Sequence, residues 1–153
     1  MIILDGKTYA LFGSDEHTNP FHGDTDTNCV LPLLGIKQTD SPAPVGLPCT
    51  ETRCGKYRAA WCGGKVIIVP QVHGRTLISQ MIADEECRHH GVKVFNEVGF
   101  RMAEWHDGDA QAGCDFWADT SLIRDLKIGD IRYWVSINDQ PANPWEQVLV
   151  QES

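Results

Sequence analysis

No apolar run in this 153-residue chain approaches the ~20 residues that a helix needs to cross a bilayer, so membrane insertion by a helix is not expected. Basic residues are scarce as well. Thirteen Lys and Arg stand against 21 Asp and Glu, giving a net charge of −8 and a pI near 5.1. That balance argues against nucleic-acid binding, which needs a basic footprint, and suits solubility, cation binding or basic partners. Met1 to Phe12 lacks both the basic start and the long apolar stretch of a secretory leader. A cytoplasmic protein and a secreted one whose leader has been removed both fit. A complete catalytic motif is missing too, so the sequence favours a recognition or structural module over an enzyme.

The length and the 42% hydrophobic content are those of one globular domain over residues 1–153, able to bury roughly two thirds of its unfolded surface. Six cysteines (Cys29, Cys49, Cys54, Cys62, Cys87, Cys114) are many for such a chain. They can pair in about fifteen ways. Disulfides would fit an oxidising compartment, and free thiols or a metal would fit a reducing one.

Ile2 to Leu4, Asp5-Gly6 and Lys7 to Leu11 read as a β-hairpin, because Asp-Gly supplies the positive φ angles of a type I′ turn. From Gly13 to Gly55 the pattern fails among prolines and glycines, and only Val30 to Ile36 is apolar enough to be buried. So long a connection suggests a functional, stapled or mobile stretch, and its cysteines favour stapling. Tyr57 to Trp61, Cys62-Gly63-Gly64 and Lys65 to Val69 predict a second hairpin, ended by Pro70. Thr76 predicts the N-cap of a helix to His90 with Leu77, Ile78, Met81 and Ile82 on one face, Cys87 four after Ala83, and Gly91 as the stop. Val92 to Val98 and Arg101 to Trp105 read as extended. Leu122 to Ile128 and Ile131 to Ile137 read as a third hairpin, and Gln147 to Val150 as an edge strand. Strands outnumber helices. The expectation is therefore an α+β domain, with a mostly antiparallel sheet, one principal helix and long irregular loops.

The chemistry-bearing residues fall in the last third and in one acidic turn. Four of the five tryptophans stand within Gly99 to Trp145, interleaved with Asp, Asn, Gln, Gly and Pro. This mixture suits loops whose aromatic rings pack while polar groups face outward. Asp24-Thr25-Asp26-Thr27-Asn28 places oxygen ligands at alternate positions, as a calcium loop does, so Asp24, Asp26 and Asn28 are the candidate metal ligands. Cys29 and Gly35 stand where an EF-hand needs Gly and Glu, which rejects the EF-hand itself; an Asx-rich turn is the simpler account of the segment. Cys49-x4-Cys54-x7-Cys62, with Cys29, is a loose zinc set that disulfides explain better. Cys29 with His73 or His106 as base could form a thiol nucleophile. His106, Asp107 and Asp109, with Glu104, could chelate a metal or carry protons, and a polar turn accounts for them as well.

Cys87, Arg101 to Gly108 (RMAEWHDG), Phe116 to Ala118 (FWA) and Ile137 to Trp145 (INDQPANPW), with His17 to Asp26 upstream, resemble a family of largely uncharacterised bacterial secreted proteins. That likeness implies a secreted or surface-associated protein and brings no activity with it. Tyr133 to Asp139, following a helix that carries a cysteine, is more distantly similar to the closing strand of the C-type-lectin-like fold. No cysteine follows Cys114, and the EPN, QPD and WND triplets are missing, so the scaffold is implied and calcium-dependent sugar binding is not. The expectation is a non-catalytic, lectin-like module that binds a protein or carbohydrate ligand through Trp105, Asn138, Asp139, Gln140, Asn143 and Trp145. Calcium is its candidate cofactor and self-association a further expectation. The alternative is a small cysteine- or metal-dependent hydrolase.

Overall fold

Asp5 and Gly6 take positive φ angles of 49° and 77°. This local geometry folds Ile2–Leu4 (β1) back onto Lys7–Phe12 (β2), as Asp-Gly predicts. The computed structural model describes residues 1–13, 26–47, 53–54, 57–104, 107, 115–124, 132–137 and 143–146. The remaining elements are β3 (Val30–Gln38), β4 (Arg53–Cys54), β5 (Tyr57–His73), α1 (Gln80–Phe95), β6 (Arg101–Met102) and β7 (Asp115–Asp119). Strand order across the sheet is β1-β2-β7-β5-β3-β6, with β4 pairing β5 off that path. All these pairings are antiparallel except β5 with β7. The α+β class, the single main helix and the mostly antiparallel sheet are thus as expected.

The second expected hairpin is instead one long strand. Gly63 has a φ of 83°, and a Cβ at Gly64 would run into the Lys37 carbonyl oxygen. The two glycines therefore make a bulge hugging β3, not a turn. β5 advances from Trp61 to Lys65 while β7 advances only from Trp117 to Asp119, and the strand then continues. Pro70 does not end it either. The register slips between Leu31↔Val72 and Leu33↔Val69, so Pro32 faces Pro70 and Gln71, whose φ is 54°. Two prolines share one irregularity, where missing N–H donors leave the fewest ladder bonds unmade.

β3 lies inside the stretch expected to be a long connection. It is an inner strand, with Leu33 and Ile36 fully buried between β5 and β6. Hydrogen bonding to two neighbours thus outweighs the proline content of its surroundings. The helix begins later and ends later than expected. Thr76 sits in a 3-10 turn and donates its hydroxyl proton to the His73 carbonyl (2.7 Å), while Ser79 Oγ caps α1 by accepting from Ile82 N (3.2 Å). Gly91 does not stop α1. A Cβ there would stand 2.5 Å from Phe100 Cδ2, so glycine serves close packing, and Asn96 (φ 56°) ends the helix.

The buried face of α1 is Ala83, Cys87 and Gly91, not the expected Ile78, Met81 and Ile82. Small side chains four apart let the helix approach closely; a Cβ on Gly35 would lie 3.1 Å from Cys87 Sγ. Cys87 joins Leu33, Ile67, Val69, Val72, Leu77, Phe100, Met102 and Trp134 in the core on this side. Phe12, Leu34, Ile36, Cys62, Val66 and Phe116 form the core on the other. Tyr9, Leu47 and Trp117 close a third cluster beside β1.

Val92 to Phe95 belongs to α1, so the extended reading of that segment fails, and β6 is only Arg101–Met102. Of the third expected hairpin, 122–124 and 132–137 are described. Trp134 bridges Leu33 in parallel and Ser136 bridges Glu104, so the second arm joins β3 and β6. The edge strand expected at Gln147 to Val150 lies outside the described residues.

Candidate functional site

The segment 132–137 brings two loop stems to one end of the sheet. Trp134 N donates to the Pro32 carbonyl (2.9 Å), and Leu34 N donates to the Trp134 carbonyl (3.2 Å). Ala103 N reaches back to the Leu34 carbonyl (2.8 Å), and Ser136 N donates to the Ala103 carbonyl (2.8 Å). Where β6 diverges from β3, residues 134–136 thus fill the opening and bond both strands. Glu104 and Ser136, which stand close before 105–114 and 138–142 in the chain, are therefore neighbours. Trp134 fixes the junction: its indole N–H donates to the Val72 carbonyl (2.9 Å), and its ring lies over Gly74, where a Cβ would stand 2.7 Å from Cζ2. Only glycine fits there.

The first stem is clasped by an ion pair whose carboxylate is buried and whose arginine is partly exposed. The Asp107 carboxylate is only 5% exposed and accepts from Arg101 Nη2 (2.7 Å) and from Glu104 N (2.6 Å). Asp107 N returns a bond to the Glu104 carbonyl (3.1 Å), closing a tight turn. Arg101 spends its other donors on the Met102 carbonyl (2.8 Å) and Gln38 Oε1 (2.8 Å). Gln38 in turn donates to the Cys62 carbonyl (2.9 Å), which ties the clasp to the β5 bulge. A carboxylate with both oxygens held by charged and backbone donors is a structural acceptor. Asp107 therefore holds the turn in this structure, rather than opening toward a metal or a proton-transfer partner.

The second stem is clasped by a side-chain amide. Asn143, 4% exposed, accepts from Ile137 N at Oδ1 (2.7 Å) and donates from Nδ2 to the Ile137 carbonyl (2.8 Å) and Glu146 Oε1 (2.9 Å). The amide stands in for a strand partner and ties Asn143 to Ile137. Of the expected ligand-binding residues, Asn143 thus faces inward, and Trp145 is half-buried against the helix-side core. Trp105, Asn138, Asp139 and Gln140 lie outside the described residues.

Asp26 sits in an Asx turn: Oδ1 accepts from Asn28 N (2.8 Å), and the Asp26 carbonyl accepts from Cys29 N (3.0 Å). Asn28 is exposed beside it, and Asp24 is outside the described residues. No group of three or more metal-ligating side chains occurs among the described residues.

Cys29, Cys62 and Cys87 carry free thiols. Cys49 and Cys114 lie outside the described residues. Burial pushes the Cys62 thiol up to about 12, the strongest of several influences; it donates to the Gly64 carbonyl (3.6 Å). Burial also raises Cys87, with Asp84 and Glu86 adding to the effect. Both are therefore inert, protonated core groups. Cys29 is exposed and stands where β3 meets the end of β5: Gly74 N donates to its carbonyl (3.1 Å), and the next residue, Val30, is opposite His73. His73 Nδ1 accepts from Arg75 N (3.4 Å).

No protein-family model, curated protein or solved structure matches the chain. The site must be read from its own geometry. Sequence reasoning named Asp107 and Asn143 but missed that each is a clasp. It also missed Arg101, Gln38, Ser136 and Trp134 as their supports. Arg101 six residues before Asp107 was the available signal. Gln38 gives none, because its partners are brought together only by the sheet.

Proposed function

We propose that the chain is a non-catalytic recognition module that binds a protein or carbohydrate ligand through 105–114 and 138–142. The Glu104–Ser136 pairing carries this reading, because it places the two stems side by side on a fixed base. Asp107 and Asn143 support it: each uses its polar atoms to fix a stem, so little ordering entropy remains to be lost at the stems on binding. Trp105, Asn138, Asp139 and Gln140 would then supply the contacts, with calcium at Asp24, Asp26 and Asn28 as an accessory. The resemblance to secreted proteins favours work outside the cell or at its surface.

The test is a screen of the purified protein against an immobilised glycan panel and a displayed peptide library, with and without calcium. Any binder is re-measured with Trp105→Ala and Asp139→Ala. Loss of about tenfold or more in either variant supports the reading. A binder indifferent to both, or no binder in either collection, overturns it. A second reading, a cysteine-dependent hydrolase, is favoured by one observation: Cys29 and His73 are brought to the same end of β3 and β5. Turnover of an activated ester that disappears in Cys29→Ala and in His73→Gln would establish it, and turnover unchanged in Cys29→Ala would remove it.

A further inference from the structure

The outward face of α1 is unusual for a helix on a protein surface. Met81 is 74% exposed, Val92 39% and Ile82 38%; Val92 returns to the side of Met81 about three turns later, and Ile78, 66% exposed, lies just ahead of the Ser79 cap. Glu85, Arg88 and the exposed His89 lie between Met81 and Val92, and Glu85 and Arg88 are joined to each other by two bonds of 2.9 Å. Acidic residues (Asp84, Glu85, Glu86) crowd the first half of the helix, and basic ones (Arg88, His89, His90, Lys93) the second. Such a face is complementary to itself when reversed.

We propose that this face pairs with the same face of a second copy, the two α1 helices running antiparallel about a twofold axis between Glu85 and Arg88. In that register Met81 meets Val92 of the partner subunit, and Glu85 meets Arg88 of the partner subunit. Symmetry makes each contact twice, as an isologous interface requires. Ile82 adds apolar surface beside each Met81 contact. The acidic half of each helix lies against the basic half of the other, and the helix dipoles oppose. Because Ala83, Cys87 and Gly91 hold α1 to the sheet from the opposite side, the outer stripe is presented on a rigid support. The loop stems are built from other elements, so this pairing would make the recognition module bivalent without altering either site.

The experiment is sedimentation equilibrium of the full chain, wild type and three variants: Glu85→Arg, Arg88→Glu, and the double reversal. Circular dichroism and thermal melts show that each is folded. Wild type is expected at about twice the monomer mass of 17.1 kDa. Each single reversal places like charges opposite each other twice and weakens the dimer by about tenfold or more. An equimolar mixture of the two single variants, and the double reversal alone, recover wild-type association, because every Glu again meets an Arg. Recovery in the mixture is the decisive result, because the double reversal also restores the Glu85–Arg88 pair within each helix, whereas the mixture can restore it only across the interface. Wild type that remains monomeric at millimolar concentration overturns the proposal. So does a dimer unaffected by both single reversals, or one that their mixture does not restore.

Discussion

Around Cys87 the molecule is held by apolar packing: Leu33, Ile67, Leu77, Phe100 and Met102 close on the small-residue face of α1, and the main polar contact is the Trp134 indole on Val72. A few residues further on, beyond Met102, side-chain hydrogen bonds to the backbone add to the packing. Asp107, Asn143, Gln38 and Arg101 reach backbone groups that no strand satisfies. The first arrangement tolerates any side chain of suitable volume; the second tolerates only a particular donor and acceptor pattern. A surface required to hold two irregular stems needs the second kind, since apolar contacts do not fix the direction in which a backbone leaves a sheet.

Trp134 belongs to both regions, so Trp134→Ala should have the largest effect. It empties a buried volume and removes the bond to Val72, costing about 3–5 kcal/mol, read as a lower denaturant midpoint with unchanged slope. If the two regions are independent, the loss will stay well below that. Asp107→Ala comes next. It leaves Arg101 and the Glu104 N–H without their acceptor, at a cost of about 2–3 kcal/mol. Amide exchange should accelerate at 103–107 while protection around Cys87 persists. Equal loss of protection in both regions would erase the distinction drawn here.

Asn143→Ala should cost about 1–2 kcal/mol, with faster exchange at Ile137 and little change elsewhere. Asn143→Asp sharpens the point, because a carboxylate still accepts from Ile137 N but cannot donate to its carbonyl. The smallest effect is expected at His90, on the apolar side. Burial lowers its proton affinity, helped by His89 and Lys93. The unfolded chain therefore takes up a proton first as pH falls below the ordinary histidine value of ~6.5, and stability drops in that window. The melting temperature should fall by about 1–2 °C more in wild type than in His90→Gln between neutral and mildly acidic pH. A parallel response in the two proteins would assign that slope to other groups.

Much of the apolar side was legible in the chain. The Asp5-Gly6 hairpin, the run from Val30 to Ile36 and the existence of a helix between Thr76 and Asn96 all follow from local chemistry. The helix face was misread because its periodic residues, Ile78, Met81 and Ile82, point outward, while Ala83, Cys87 and Gly91 carry too little hydrophobicity to reveal the buried side. Gly63-Gly64 was misread because positive φ serves a turn and a bulge equally, and the nearby Lys37 carbonyl decides between them. The polar end was less legible still. RMAEWHDG and INDQPANPW contain Arg101, Asp107 and Asn143, but nothing in either run says that a carboxylate or an amide is turned inward.

The sequence by itself determined the acidic charge, the α+β class and the elements whose causes lie within a few residues: caps, the tight turn and the apolar strands. Tertiary structure alone decided that β3 is an inner strand, that β5 continues through its glycines and past Pro70, and that Ser136 lies beside Glu104. The physical reason is distance along the chain. Propensity acts over one or two turns, whereas Gln38, Cys62, Arg101 and Asp107 become neighbours only after the sheet has assembled, and their hydrogen bonds draw on backbone groups that no local pattern encodes.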